Sequence, residues 1–483
     1  MLKFFRGLML MLGCIVITAC GSSSGGGSSP PKDPPPSTTL SVSPTSIEVD
    51  STNNTQDFSI STNTNWSAST TATWLTLSAT TGNGSSDITI TATTNNTDQA
   101  RSTDIVISAG ALTATIQANQ DATDDSFSYD IAPDATDMRE LASTEFTALM
   151  GVGFNIGNSL EAVGGETAWG NPMISEALID AIKAAGFKSI RLPVAWSQFS
   201  DETNFVIKNE WMDRVEQVVS YAISQDLIVM MNIHWDGGWM QPTAGEKDYV
   251  NHRLDIMWRQ IAIRFRDYDD RLLFAGTNEV MVEGDYGTPT EEYYSAQNSF
   301  NQTFVTTVRK TGGRNAYRQL IVQGFNTNID HTINYAVVPT DVINNRLMME
   351  VHFYDPYNFT LNANSNLTQW GANATDGSKA ESWANEAYID SQFLAMRSHF
   401  HDQGVGLILG EYGAISRTED PDHEAYRLDW NRYVTKAAVD MNMVPFYWDN
   451  GDSGNHGFAL FNRATAAQIA PDLIQAIVAA DSE

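Results

Sequence analysis

The chain carries two kinds of hydrophobic pattern in succession. Between Leu40 and Gln120 apolar and polar residues alternate, as in Asp57-Phe58-Ser59-Ile60, Asp87-Ile88-Thr89-Ile90-Thr91 and Asp104-Ile105-Val106-Ile107-Ser108. Alternation with period two puts every second side chain on one face of a strand. Gly, Asn and Ser turns separate these stretches at the spacing of a small β-sandwich. From about Leu141 the pattern changes. Continuous apolar runs follow at Val152 to Ile156, Ser189 to Val194, Leu227 to Ile233, Leu272 to Ala275, Leu320 to Gln323, Leu347 to Val351, Leu407 to Leu409 and Val444 to Tyr447. Such runs suit strands buried on both faces. Between most of them apolar residues recur at helical spacing. Examples are Ala177, Ile179, Ile182 and Ala185; Trp211, Val215, Val218, Val219 and Ala222; and Trp258, Ile261, Ala262 and Phe265. Eight strand–helix units predict an α/β fold, a (β/α)8 barrel preceded by the small sandwich. Between Gln323 and Leu347 no clear amphipathic helix is visible.

Composition adds boundaries to this picture. At 483 residues and 42% hydrophobic content, the chain can bury a large barrel core and a smaller one beside it. A net charge of −30 opposes nucleic-acid binding and is compatible with a neutral polymer as partner. Residues 1–20 read as an export signal. Lys3 and Arg6 precede an apolar stretch, Leu8 to Thr18, too short for a confident membrane span. The only cysteines are Cys14 and Cys20, so no disulfide framework is available to the folded part. Ile17-Thr18-Ala19-Cys20 resembles the bacterial lipoprotein processing site, which implies acylation of Cys20. Gly21 and Ser22 follow, and by resemblance to Gram-negative lipoproteins this implies the outer membrane or cell surface. Residues 21–39 are Gly, Ser and Pro, a flexible coil stiffened towards its end. Residues 121–140 form an acidic linker or collar, and 141–483 hold the barrel. A monomer is expected.

Within residues 40–120, Leu40-Ser41-Val42-Ser43-Pro44, Asn65-Trp66, Trp74-Leu75-Thr76-Leu77, Gly82-Asn83-Gly84, Arg101-Ser102 and Gln120 resemble the BACON domain, an immunoglobulin-like sandwich found beside carbohydrate-active enzymes. Sugar platforms need exposed aromatic faces. The segment offers only Phe58, Trp66 and Trp74, at positions where a sandwich wants core, which favours a spacer over a binding module.

The candidate chemistry lies where the barrel runs end. Leu272-Leu273-Phe274-Ala275 leads into Asn278-Glu279, and Leu407-Ile408-Leu409 leads into Glu411. A carboxylate there is unfavourable unless partnered. Two such glutamates supply a proton donor and a nucleophile for cleaving a glycosidic bond. Other runs end on Arg191, on His234 and Trp235, on His352 and Tyr354, and on Trp448. The carboxyl ends of barrel strands form one face, so these groups converge.

This ring resembles glycoside hydrolase family 5 over about Met150 to the C-terminus. Gly153-Phe154-Asn155-Ile156-Gly157-Asn158-Ser159-Leu160-Glu161 and Trp169-Gly170-Asn171-Pro172 are similar to its subfamily 4. The resemblance implies a TIM barrel and a retaining endo-β-1,4-glucanase acting on plant cell-wall glucans such as xyloglucan, cellulose-type and mixed-linkage glucans. It implies Glu411 as nucleophile, held ionised by Arg191 and Tyr354. It implies Glu279 as acid/base, with a pKa raised by Glu411 and falling once Glu411 is glycosylated. Asn278 would donate to the sugar 2-hydroxyl, His234 and His352 would position substrate or Glu279, and Trp448 would face a pyranose ring. Asn158, Trp169, Trp235 and Trp239 are candidates for the cleft walls. No cofactor is implied and no metal site is expected, with Asp355, Asp449 and Asp452 read as solvated loop acids. A β-mannanase or xylanase on the same barrel, or a non-catalytic surface glycan-binding protein, are the alternatives.

Overall fold

The computed structural model describes residues 37–49, 54–93, 95, 99–121, 127–234 and 236–481. The expected export signal, Cys14, Cys20, most of the 21–39 tether and Trp235 lie outside the described residues. The described residues fall into two compact units, divided after Phe127.

The first unit is a β-sandwich. Its strands are β1 (Leu40–Ser43), β2 (Ser46–Val49), β3 (Asn54–Thr62), β4 (Asn65–Thr70), β5 (Leu75–Leu77), β6 (Thr81–Asn83), β7 (Ser86–Ala92), β8 (Arg101–Ala109) and β9 (Leu112–Gln120). They form two sheets, in the orders β1-β3-β7-β5 and β2-β9-β8-β4-β6. The alternation read from the sequence is the burial pattern: Ile88 and Ile90 of β7 and Ile105 and Ile107 of β8 are buried, with polar neighbours between them. The aromatics are used up inside. Phe58 and Trp66 are buried. A Cβ at Gly82 would overlap the Trp66 ring, and Trp66 Nε1 donates to Gly84 O at 3.0 Å. The Gly82-Asn83-Gly84 turn is therefore shaped by that indole. Trp74 is half-buried, with the Arg101 guanidinium 4.7 Å from its ring centre.

The second unit is a closed parallel barrel of eight strands: β10 (Gly153–Ile156), β11 (Ser189–Leu192), β12 (Ile228–Asn232), β13 (Leu272–Ala275), β14 (Leu320–Gln323), β15 (Leu347–Phe353), β16 (Gly406–Tyr412) and β17 (Met443–Asp449). All eight apolar runs are strands. Their side chains are buried inside and out, as helices cover the outer face. The helices are α1 (Ser143–Met150), α2 (Glu176–Ala184), α3 (Asn209–Ser224), α4 (Lys247–Arg264), α5 (Glu291–Lys310), α6 (Ile329–Tyr335), α7 (Tyr357–Thr360), α8 (Glu386–His399), α9 (His423–Asp440) and α10 (Pro471–Ala479). The silent stretch between β14 and β15 holds α6, only seven residues long. Two turns cannot display a repeating apolar face, so its start is marked instead by Asn328 Oδ1, which accepts from His331 N–H at 3.0 Å. The acidic stretch around 130–140 packs against the barrel. Arg139 makes a two-pronged contact with Asp270 (2.7 and 2.8 Å), and Asp130 pairs with Arg259 at 2.7 Å.

β15 and β16 run past their apolar cores. Val351 pairs with Leu409, but His352 pairs with Glu411, so Gly410 is an extra residue in β16. Such a bulge bends the strand and re-aims the side chain next to it. Here it turns Glu411 into the barrel mouth.

Candidate active site

Arg191 of β11 is the hub, and it is fully buried. Nη1 donates to Glu411 Oε1 at 2.8 Å and to Asn155 Oδ1 at 3.0 Å. Nη2 donates to Asn278 Oδ1 at 2.7 Å. Nε stands 3.0 Å from Glu350 Oε1, a charge contact with the N–H angled off the line of a hydrogen bond. Asn155 is fixed in turn, since its Nδ2 donates to Gly410 O at 2.8 Å.

Glu411 is the buried carboxylate of the pair. Besides Arg191 it accepts from the Tyr354 hydroxyl at 3.1 Å. Burial pushes its pKa above the ordinary carboxyl value, while His352 and Arg191 pull against that rise. Burial and the adjacent carboxylates drive the Tyr354 phenol well above its usual pKa, so it remains a donor.

Glu279 reaches the same space from the end of β13, and its side chain is 41% exposed. His352 Nδ1 lies 2.7 Å from Glu279 Oε1 and 3.6 Å from Glu411 Oε2. The other ring nitrogen, Nε2, is 3.2 Å from Glu350 Oε1. Burial opposes charge on this imidazole, yet Glu411, Glu279 and Glu350 outweigh it and push its pKa up to about 9. Both ring nitrogens therefore carry hydrogen at neutral pH. One oxygen of Glu279, one of Glu411 and a nitrogen of His352 all lie within 4.8 Å of one another. These three are the one cluster of metal-ligand type among the described residues. A doubly protonated imidazole has no lone pair for a metal, and Arg191 already neutralises Glu411. The set is built for proton exchange.

Asn278 accepts from Arg191 through its oxygen, which leaves its amide hydrogens for a ligand. Burial, with the Arg191 and His352 cations nearby, holds His234 well below the usual histidine pKa. The neutral ring sits 3.2 Å (Nδ1) from Asn232 Nδ2 and lies nearly parallel to Trp448, at 11° and 6.2 Å between centres. Trp448 is half-buried over Gly157, where a Cβ would fall 2.7 Å from the indole.

Asn158 follows Gly157 in a left-handed backbone conformation (φ 55°). The buried Glu161 carboxylate receives the backbone N–H groups of Asn158 and Ser159. Burial raises Glu161 to about 7 against those bonds. Asn171 Nδ2 donates to Asn158 O and Asn450 O, both at 2.9 Å, tying the loops after β10 and β17 together. Trp169 is 46% exposed on the loop after β10. Trp239 is half-buried with Arg253 4.4 Å from its ring centre, in a small cavity shared with Met240, Asn278, Glu279 and Met281. A larger groove of about 360 Å³, also lined by Glu279, opens between Tyr286, Asn326, Tyr354, Tyr357 and Tyr388.

Arg191, His234, Asn278, Glu279, His352, Tyr354, Glu411 and Trp448 are therefore brought together at the barrel mouth, and Trp235 lies outside the described residues. Three supports of this ring went unseen: Glu350, Asn155 and Gln323. Gln323 Nε2 donates to Glu350 Oε2 at 2.6 Å. The available signal was Glu350 itself, a carboxylate in the middle of an apolar run. Asp449 corrects the reading of a solvated acid. It is fully buried, accepting from Gly451 N and Leu460 N at 2.7 Å each and pairing with Arg463 at 2.8 Å. Asp355 is half-buried and accepts from Tyr388 at 3.0 Å, while Asp452 is exposed as expected.

Comparison with known proteins agrees with this geometry. The cellulase model (glycosyl hydrolase family 5) matches residues 153–454. The BACON model, described as an N-terminal binding domain, matches residues 64–121. A xyloglucan-specific endo-β-1,4-glucanase of Bacteroides ovatus is 42% identical over 87% of this chain and 86% of its own length. Endoglucanase A of Paenibacillus barcinonensis is 42% identical over 71% of this chain and 91% of its own. Among solved structures, a Bacteroides ovatus xyloglucanase bound to a XXXG heptasaccharide superposes with TM-score 0.72 at 40% identity, covering 92% of this chain and all (100%) of that one. A broad-specificity endoglucanase from Bacteroides salanitronis gives TM-score 0.68 at 38% identity, covering 73% and 97%.

Proposed function

The chain belongs to glycoside hydrolase family 5 and is a retaining endo-β-1,4-glucanase, and from that premise we propose that Glu411 and Glu279 divide its chemistry and that xyloglucan is among its substrates. Glu411 attacks the anomeric carbon while Glu279 gives its proton to the departing oxygen. In the second step Glu279 takes a proton from water, and the hydroxide displaces Glu411 from the same carbon. The observation that carries this reading is the separation of the carboxyl groups, with oxygens within 4.8 Å. Inverting enzymes hold them about 6.5–9.5 Å apart to admit a water between, and retaining enzymes about 5–5.5 Å.

The partners break the symmetry of the pair. Arg191 and Tyr354 bind Glu411, which suits an anionic nucleophile. Glu279 stands open to the cleft beside His352, which suits a group that exchanges a proton with ligand and then with water. Asn278 aims its amide hydrogens at the 2-hydroxyl, a contact that strengthens in the transition state. Trp448 offers an apolar face to the sugar being cleaved.

The xyloglucan reading draws on the Bacteroides ovatus xyloglucanase, matched in sequence and in structure, and on the small cavity and larger groove that Glu279 lines. Hydrolysis of xyloglucan, carboxymethylcellulose, mixed-linkage glucan and galactomannan, with sizing of early products, tests it. Internal cleavage of xyloglucan supports the reading, and turnover of galactomannan alone overturns it.

For the rest of the chain, the proposal is an exported monomer, acylated at Cys20 and held away from a Gram-negative outer membrane by residues 21–39. The sandwich serves as spacer, because Phe58 and Trp66 are buried and Trp74 lies under Arg101. Cys20→Ala should release the enzyme from the membrane fraction, and retention there would refute the anchor.

A further inference from the structure

Glu350 takes no part in the steps above, yet it is the most enclosed carboxylate of the site. Its side chain is 0% exposed, on the same face of β15 as His352. One oxygen is 3.0 Å from Arg191 Nε and 3.2 Å from His352 Nε2, and the other accepts from Gln323 Nε2 at 2.6 Å. Gln323 is locked in that orientation, because its Oε1 accepts from Thr277 N and Thr277 Oγ1 at 3.0 Å each. The fold also reserves space for this carboxylate. A Cβ at Gly410, the bulge residue beside Glu411, would overlap Glu350 Oε1. The glycine that precedes the nucleophile is thus required by a glutamate on the neighbouring strand.

From this geometry we propose that Glu350 is a positioning residue for the reaction, holding Arg191 and His352 from behind as cations so that they face the two catalytic glutamates. The proposal rests on the assignment of Glu279 and Glu411 above. Charge accounting explains the need. His352 faces Glu279 from the end of β13, Glu411 from β16, Arg191 from β11, the neutral His234 from the end of β12, and Glu350 and the neutral Tyr354 from its own strand. With Glu279 protonated, Arg191 and His352 balance Glu350 and Glu411. When Glu411 becomes a neutral glycosyl ester, Glu279 has given up its proton and takes over the negative charge. The buried set is neutral in both states with Glu350 ionised and His352 an imidazolium, and the contacts of Glu350 with Arg191, His352 and Gln323 favour this pairing over a neutral Glu350 beside a neutral His352. Without Glu350, two cations would share one anion, and His352 would shed a proton and one of its two hydrogen bonds. Burial works against charge on Glu350, but Arg191, His352 and Gln323 overcome it and hold its pKa below the usual carboxyl value.

The test is an NMR titration of His352 in the full enzyme, with its ring resonances assigned by their loss in His352→Gln. In the unaltered enzyme both ring N–H protons should persist at pH 7, with the midpoint near 9. Glu350→Gln keeps the shape but removes the charge, and should lower the midpoint by about one unit or more, a tenfold change in the protonation equilibrium. The basic limb of kcat should move down in parallel, with little change in KM, and Glu350→Asp should return both towards the starting values. A folded Glu350→Gln with an unmoved His352 midpoint overturns the proposal. Should Glu350→Gln fail to fold, Glu350→Asp decides, because it draws the carboxylate back from His352: a lowered His352 midpoint upholds the proposal, and an unmoved midpoint, or a His352 neutral at pH 7 in the unaltered enzyme, overturns it. The titration is read on resting enzyme, so failure of the catalytic assignment would show separately, as activity surviving in Glu279→Ala or Glu411→Ala.

Discussion

Glu411 and Glu279 place carboxylate oxygens within 4.8 Å of each other, yet the side chain of one is 8% exposed and that of the other 41%. The inequality follows from where each sits. Glu411 lies inside β16 with Arg191 and Tyr354 closed around it. Glu279 lies past the end of β13 and faces the open groove. A buried anion with fixed donors and an exposed carboxyl beside it are the two halves of a double displacement.

Removing either glutamate should abolish turnover without unfolding the barrel. Glu411→Ala and Glu279→Ala are each expected to lose at least about 10³-fold in kcat on a β-glucan. An aryl glucoside with a good leaving group needs little acid help, so on that substrate Glu279→Ala should form its glycosyl-enzyme and stall. Added azide should then restore turnover and release a β-glycosyl azide. With Glu411→Ala any azide product should be the α-anomer, and the reverse pattern would exchange the two roles.

Tyr354→Phe removes one charge-assisted hydrogen bond to Glu411. Such bonds contribute about 1.5–3 kcal/mol, so kcat/KM should fall roughly 10- to 150-fold. Thermal unfolding should shift little, since the ring stays in place. Steady-state kinetics beside a melting curve checks both halves.

His352 links stability to pH. Its folded pKa, about 9, lies above the ordinary 6.5. The stabilisation is therefore fully present below 6.5 and is lost as pH rises through 9, with an upper bound on the order of 3 kcal/mol. Denaturant midpoints should fall between pH 7 and 9.5 in the unaltered enzyme, and fall less in His352→Gln. Glu411 sets the other side of the activity profile. Its pKa is raised by burial and it must be ionised to attack, so the acid limb of kcat/KM should lie above pH 4.5, the ordinary carboxyl value. A limb well below that would contradict the burial argument.

Asp449→Ala leaves Arg463 buried without its carboxylate. Breaking a buried pair by removing one partner costs about 3–5 kcal/mol. Because Asp449 adjoins Trp448 at the end of β17, activity should fall along with the unfolding midpoint. An unchanged midpoint would mean that Arg463 finds another partner.

Much of this architecture is readable from the chain, and the gaps share a cause. Glu279 and Glu411 stand out because each closes an apolar run, where a carboxylate contradicts its surroundings. Arg191, His234, His352 and Trp448 are visible once the run ends are taken as one face. Glu350 hides because Leu347 to Val351 reads as an unbroken strand and its partners Arg191 and Gln323 come from other strands. Asp449 resembles a loop acid until the fold brings Arg463 back to it, fourteen residues on. The helix α6 is too short for its apolar face to repeat. Interactions that depend on return of the chain leave little local trace, whereas strand ends do.

The central claim is that Glu411 forms a bond to the sugar. A 2-deoxy-2-fluoro β-glycoside with an activated leaving group slows both steps, since fluorine disfavours the oxocarbenium-like transition state, and the intermediate then accumulates. Intact-mass and peptide mass spectrometry after brief incubation should find one glycosyl unit per chain, on the peptide containing Glu411, and none on Glu411→Ala. A label on a peptide without Glu411, or no label together with products of inverted anomeric configuration, would contradict the account.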